Sequence, residues 1–398
     1  MVAAENGALP GAKVGGVGDV VRELPVALAE LGWRPLVLTP GYGLFDGLAG
    51  ARRAAAVELE FGGAPRSVAV LQVPGPDPRV EHAVFEHALL APGGPGVIYN
   101  DDGAHRPFAT DAGKFALFSA ATAHYVAALD EAPEVVHLHD WHAALYTVLR
   151  AYDPALARLK AIRTVYTIHN LAMQGIRPFA NDPSSMRTWF PDLDYDEKTL
   201  VDPRYPDCVN PMAAAIRLAD RVNTVSPTYA REILLPSDPA RGFSGGEGLE
   251  DDLARASHDG RLFGILNGCE YPKRDRRRPG WWRLLDSIGG ELANWLARGD
   301  DVAPIHELAR TRLAALPRRR PPQQLTSIGR LTSQKVALFL ADAAPGRSAL
   351  EAILDALGKR GVFILLGSGD RTLQQRIGQI AAAHDNFLFL CGYSLAFT

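Results

Sequence analysis

Short runs of β-branched and apolar residues alternate with longer amphipathic stretches along this chain, and few folds accommodate that rhythm. The runs are RPLVLTP near residue 34, SVAVLQV near 67, VVHLHD near 135, RTVYTIHN near 163 and RVNTVS near 221. Strands that alternate with helices form a parallel α/β sheet with the helices laid over it. Helices are expected from Gly18 to Gly32, Asp111 to Ala128, Trp141 to Ala151, Met212 to Ala219 and Pro227 to Leu235. In the first of these, Val17, Val20, Val21, Leu24, Leu28 and Leu31 recur at helical spacing and give one apolar face, and Gly32 ends it.

A second round of the same pattern begins at QQLTSIGRL near 323 and runs through SALEAILDALGKRG, VFILLGSGD and TLQQRIGQIAAAH to NFLFLCG. The 398 residues therefore suit two doubly wound lobes. The expected division is 1–235 for the first lobe, 236–322 for connecting loops and a linker, and 323–398 for the second lobe. A doubly wound lobe needs about five or six strands. Three are legible after residue 323, so the second lobe is expected to be incomplete.

Composition narrows the partners. The chain is 47% hydrophobic and 22% charged with a net charge of -3, which gives no nucleic-acid footprint. The basic runs KRDRRRPG and PRRRPP have acidic neighbours and read as solvated linker. Cys208, Cys269 and Cys391 are too widely spaced for a disulfide framework or a CxxC metal site and suit a reducing cytoplasm. No apolar run nears the roughly 20 residues that span a bilayer, and MVAAENGALPG lacks the pattern of a signal peptide, so no membrane is expected.

Four polar clusters fall at strand ends, where open α/β sheets bind ligands. The first, Lys13-Val14-Gly15-Gly16-Val17-Gly18-Asp19-Val20, opens the first helix: its glycines admit a ligand to the backbone, the helix start favours an anion and Lys13 adds charge. A plain strand-to-helix turn reads equally well there. The second is His137-Leu138-His139-Asp140-Trp141-His142. His137 and His139 share one face of a strand and no further ligand follows at zinc-like spacing, so no metal and no cofactor is expected. Asp140 reads either as a cap of the next helix or as a ligand contact. The third is Tyr166-Thr167-Ile168-His169-Asn170-Leu171-Ala172-Met173-Gln174-Gly175, and the fourth is Ser327-Ile328-Gly329-Arg330-Leu331-Thr332-Ser333-Gln334-Lys335. There Arg330 offers a bidentate fork and Lys335 a point charge, which suits the phosphates of a nucleotide, against the alternative of a solvated basic loop. Leu366-Gly367-Ser368-Gly369-Asp370 is a weaker Gly-rich turn.

Taken together, KVGGVGDVVRELPVALAELGW, HLHDWHAAL, TIHNLAMQG, NTVSPTYAREI, GILNG and GRLTSQK resemble, in order, the landmarks of bacterial glycogen synthases and plant starch synthases. The resemblance covers most of residues 5–394 and thins between 236 and 325. It implies a GT-B fold of two Rossmann-like lobes facing a cleft. It also implies metal-independent transfer of glucose from ADP-glucose to the nonreducing end of an α-1,4-glucan with retention. By the same resemblance His169 and Asp140 stand near the reacting glucose. Lys13, Gly15, Gly16, Asp19, Asn170, Gln174 and Asn267 line the substrate site, and Arg330 and Lys335 serve catalysis as fixed charge. Two departures stand out. Val336 replaces the family's usual Gly, and the chain ends at Ser394-Leu395-Ala396-Phe397-Thr398 before the family's remaining donor-site segments, which predicts a truncated and inactive transferase. A noncatalytic glucan-binding relative, or another GT-B enzyme such as a sucrose synthase or a trehalose-forming enzyme, are the competing readings.

Overall fold

Val2 sits at the middle of the first sheet. It bridges in parallel to Leu38 on one side and to Leu138 on the other. The computed structural model describes residues 1–103, 105–268, 280–299, 302–392 and 394. The chain divides into two units, Met1–Cys269 and Glu270–Thr398.

In the first unit, β1 (Leu36–Pro40) lies beside Val2 and pairs in parallel with β4 (Glu81–Glu86). An antiparallel hairpin of β2 (Arg52–Phe61) and β3 (Ala64–Gln72) then extends that edge. On the other side of Val2 come β5 (Val135–His139), β6 (Arg163–Ile168), β7 (Arg221–Thr224) and β8 (Leu262–Gly264), all parallel. The chain thus moves away from Val2 first one way and then the other. Such a reversal of strand order opens a crevice beyond the carboxyl ends of the central strands.

The expected helices form as α1 (Gly16–Glu30), α2 (Ala109–Ala128), α3 (Leu145–Tyr152), α4 (Pro211–Leu218) and α5 (Pro227–Glu232). The helix expected from Trp141 begins instead with a 3-10 turn, Trp141–Ala143. Helix α2 is buried on nearly every side, so its sequence shows little amphipathic contrast. It even buries the pair Asp111 and Lys114, whose ammonium also donates to the Ile98 carbonyl at 2.6 Å.

The stretch 236–322 differs from the loops and linker expected of it. It carries α6 (Glu250–His258), β8, α7 (Trp281–Arg298) and α8 (Ala303–Ala315), and the boundary between units falls inside it, after Cys269. Gly, Pro and Arg are frequent there because the turns are, yet Ile288, Leu292 and Trp295 keep helical spacing on the buried face of α7. The basic run at 273–279 and Cys269 lie outside the described residues.

The second unit is built on a parallel sheet in the order β9 (Gln323–Ile328), β10 (Gly361–Leu366), β11 (Phe387–Leu390). Alternation divides its side chains cleanly. Phe363, Leu365, Phe387 and Phe389 pack on α9 (Ser333–Leu340), α10 (Ala349–Leu357) and α11 (Arg371–Ala383). Val362, Ile364, Leu366, Leu388 and Leu390 pack on α7 and α8. No described helix is long and apolar enough to cross a membrane.

Candidate functional site

A buried carboxylate with no motif around it follows Val2 in the chain. Glu5 is 3% exposed. One of its oxygens accepts the backbone N–H groups of Val14 at 2.8 Å and Gly15 at 2.5 Å, and the other accepts the Tyr99 hydroxyl at 2.8 Å. It therefore clamps the glycine loop that opens α1. Gly18 admits this arrangement because a methyl group there would press on Lys13 and Glu5. Above the loop, Lys13 Nζ pairs with Asp19 at 2.7 Å while Arg22 holds the same oxygen of Asp19 at 3.1 Å. Gly15 is half-buried, and Gly16 faces open space.

Asp140 follows β5 with φ +53° and ψ -174°, a conformation that costs a non-glycine residue about 1–3 kcal/mol and persists only where its surroundings enforce it. Its carboxylate makes no cap bond to the following turn. Instead Oδ1 reaches across to the end of β6 and accepts the backbone N–H of His169 at 2.7 Å and of Asn170 at 3.4 Å. Of the two readings left open by the sequence, the helix cap is thus the one the geometry does not use. Burial pushes the Asp140 carboxyl up, partly offset by His169 and by these two N–H groups.

The histidines form a row. His137 Nε2 lies 2.6 Å from the Thr167 hydroxyl, and His139 Nδ1 lies 2.9 Å from His169 Nε2. Trp141 and His142 turn back into the core, where His142 stacks near Tyr99 and Phe115. Gly175, with φ +67°, lies against the Trp141 indole, and any side chain there would overlap the ring. The second and third sequence clusters are therefore packed into one body, and Tyr99 ties it to Glu5 and the first. Among the described residues, no three His, Cys, Asp or Glu side chains are grouped as a metal ion would require.

The side chains of other expected site residues are engaged with different partners or face solvent. Gln174 is buried and its amide is fully engaged: Nε2 donates to the carbonyls of Leu171 and Glu247, while Oε1 accepts from Arg204 and Asn210. Asn170 closes a turn by accepting the Ala172 N–H at 3.0 Å. Asn267 is exposed in the coil that follows β8.

In the second unit, Arg330 and Lys335 line a pocket of about 200 Å³ with Ser327, Gly329, Leu331 and Phe339. Both are exposed, and neither has an acidic partner among the described residues. The loop carrying Arg330 is held by backbone contacts and by the buried Leu331 side chain. Gly367 and Gly369 abut the carbonyls of Gly329 and Leu331 so closely that neither could bear a side chain, and Leu331 donates to the Ser368 carbonyl at 2.9 Å.

Sequence reasoning named the clusters but missed Glu5 and Tyr99. A single carboxylate after a strand and a tyrosine in a long loop carry no spacing signal. Only the fold brings them under the glycine loop.

Comparison with known proteins fits this geometry. The starch synthase catalytic domain family matches residues 1–255. The glycogen synthase of Anaeromyxobacter dehalogenans strain 2CP-C is 34% identical over 384 residues, covering 94% of this chain and 70% of its own. The chain belongs to the glycogen and starch synthase family. A Francisella philomiragia glycogen synthase is 30% identical over 374 residues, 91% of this chain and 68% of its own. The catalytic domain of starch synthase IV from Arabidopsis thaliana, bound to ADP and acarbose, matches with a TM-score of 0.70 at 26% identity, over 100% of this chain and 74% of that one. This member of the family is a glycosyltransferase of GT-B fold with glycogen or starch synthase function.

Two buried histidines near the site make the first unit of this glycosyltransferase sensitive to acid. Burial holds His82 down at about 4, where its Nδ1 accepts from Asn6, and burial with the nearby Lys114 charge holds His142 at about 3. An unfolded chain takes up a proton on each near pH 6.5, and the folded one does not until the lower values. Their contribution is complete above 6.5 and is lost as pH falls toward 4 and 3, by up to about 1.4 kcal/mol per pH unit for each histidine. Urea titrations at about pH 7.5 and pH 5.5 should show the lower midpoint at the acid value. An unchanged midpoint would mean that neither histidine titrates as buried.

Proposed function

We propose that this glycosyltransferase moves the glucosyl group of ADP-glucose to the nonreducing end of an α-1,4-glucan with retention of configuration, in the cytoplasm. The observation that carries the reading is the Asp140 carboxylate holding the His169 backbone at 2.7 Å, at the switch point of a sheet of this family. A half-buried strand-end histidine with a fixed backbone is suited to hold a sugar as positive charge develops on it. The starch synthase IV structure contains ADP and acarbose, which supports an ADP-linked donor. Cys208 and Cys391 are free thiols, in keeping with a reducing compartment.

The roles divide by chemistry. His169 and Asp140 serve the glucosyl unit. Arg330 and Lys335 neutralise phosphate charge as the sugar–phosphate bond breaks, with Ser327 and Gly329 lining the same pocket. Lys13, Gly15 and Gly16 present cation and backbone to the donor. Asp19 restrains Lys13 until then, and Arg22 keeps Asp19 paired when Lys13 turns away. Asn170 and Gln174 shape the loop behind His169, and Asn267 is a further contact.

Transfer of radiolabelled glucose from ADP-glucose into glycogen, with UDP-glucose in parallel, tests the reading. Glycogen binding without transfer would favour the noncatalytic alternative. In an active preparation, Lys13→Ala should raise the KM for ADP-glucose about 10- to 100-fold, as expected for loss of one charged hydrogen bond. Glycogen affinity should stay as it was. Unchanged donor kinetics would remove Lys13 from the site.

A further inference from the structure

Among the described residues, the row of histidines has one buried nitrogen with nothing to bond. His139 is 1% exposed, its backbone N–H is anchored to the Val2 carbonyl at 3.0 Å, and its ring lies 4.2 Å from that of His137 and 5.3 Å from that of His169. Its Nδ1 faces His169 Nε2, whereas its Nε2 is buried with no hydrogen-bond partner among the described residues. From this asymmetry we infer that His139 is a positioning residue that fixes the tautomer of His169: His139 donates Nδ1–H to His169 Nε2, and His169 keeps its own proton on Nδ1. The inference rests on the reading of His169 as a contact to the donor sugar.

A neutral imidazole carries one proton, and the bond between the two rings uses one. Burial, reinforced by the neighbouring His137 and His169, keeps His139 neutral. If His169 supplied the shared proton, His139 would have to carry its own on Nε2, as a buried N–H with no acceptor. Orphaned buried N–H groups are the rarer kind of unsatisfied atom, since a bare acceptor is tolerated more readily. The remaining member of the row does not disturb this assignment. The Thr167 hydroxyl donates to Asn223 Oδ1 at 2.6 Å, so it can only accept from His137 Nε2, and His137 in turn has no proton to give His139. With Nε2 occupied, His169 has only Nδ1–H left to offer. It therefore acts as a hydrogen-bond donor and selects an oxygen that accepts, such as a hydroxyl of the glucosyl unit.

The full chain labelled with ¹⁵N-histidine tests this directly by long-range ¹⁵N–¹H correlation. The expected spectrum of the unliganded protein shows His169 with a protonated Nδ1 and a bare Nε2. A protonated Nε2, alone or as an imidazolium, overturns the assignment. Kinetics give a second readout. His139→Leu removes the donor, whereas His139→Asn places an amide N–H near the same point. His139→Leu should lower kcat about 10- to 100-fold, the usual loss when the partner orienting a functional histidine is removed. KM should change little, and His139→Asn should recover most of the rate. If both variants turn over like the parent, the positioning role is wrong. Full activity in His169→Ala would count against the sugar contact instead, and it would leave the measured tautomer as it stands, so the two failures can be told apart.

Discussion

Replacing Arg330 or Lys335 by alanine is expected to lower kcat/KM for glucosyl transfer by about 10²- to 10³-fold each, with melting temperature unchanged. The combination follows from how the two residues sit. Both are exposed and lack an acidic partner among the described residues, so the fold does not use their charge. Surface substitutions away from packed features change stability by no more than about 0.5 kcal/mol. A leaving nucleoside diphosphate, in contrast, gains negative charge in the transition state, and preorganised cations stabilise that state more than the ground state. Arg330→Lys keeps a charge but loses the planar fork and should recover only part of the rate, whereas Lys335→Arg retains a cation at a point contact and should recover more. Steady-state kinetics with ADP-glucose alongside thermal melts decide the matter. Rates close to the parent's would show that the pocket does not hold the phosphates.

The second large effect is on stability. Lys114→Met is expected to destabilise the first unit by about 3–5 kcal/mol, because it leaves the buried Asp111 carboxylate without its cation. Lys114 donates to Asp111 at 2.7 Å, to the Ile98 carbonyl at 2.6 Å and to Asn100 Oδ1 at 3.1 Å. It thereby pins the segment carrying Tyr99 onto α2. Since Tyr99 supports Glu5, and Glu5 the glycine loop, activity should fall with stability. Asp111→Leu combined with Lys114→Met should recover part of the loss, since no uncompensated charge then remains. A urea midpoint within error of the parent's for the single variant would contradict the burial of this pair.

What the sequence shows and what it hides divide along physical lines. Strands such as VVHLH and FILL are legible because sheet burial demands runs of apolar residues, and the polar residues that break those runs mark the strand ends. His169 and Asp140 could be placed near one another on that basis alone. Lys114 could not be recognised, because an acid and a base three residues apart on a helix look like a surface pair. Gln174 illustrates the converse: it lies within a family motif, yet its amide is spent on Leu171, Glu247, Arg204 and Asn210. Helices α7 and α8 were obscured by the turns around them, since a Gly- and Arg-rich composition averages over the apolar face of α7.

The pairing of Val2 has a bearing on synthesis. Its two neighbours, Leu38 and Leu138, leave the ribosome at very different times. The hairpin of residues 52–72 can close locally as soon as it emerges, because its partners are adjacent in sequence. The central strand has to wait half-paired until β5 appears, with one edge open to any other extended segment nearby. Glu5 and the glycine loop follow directly from that strand. The nascent chain therefore gains its proposed substrate crevice only when the sheet closes around Val2, and an agent that shields the open edge during that interval would favour active protein over aggregate.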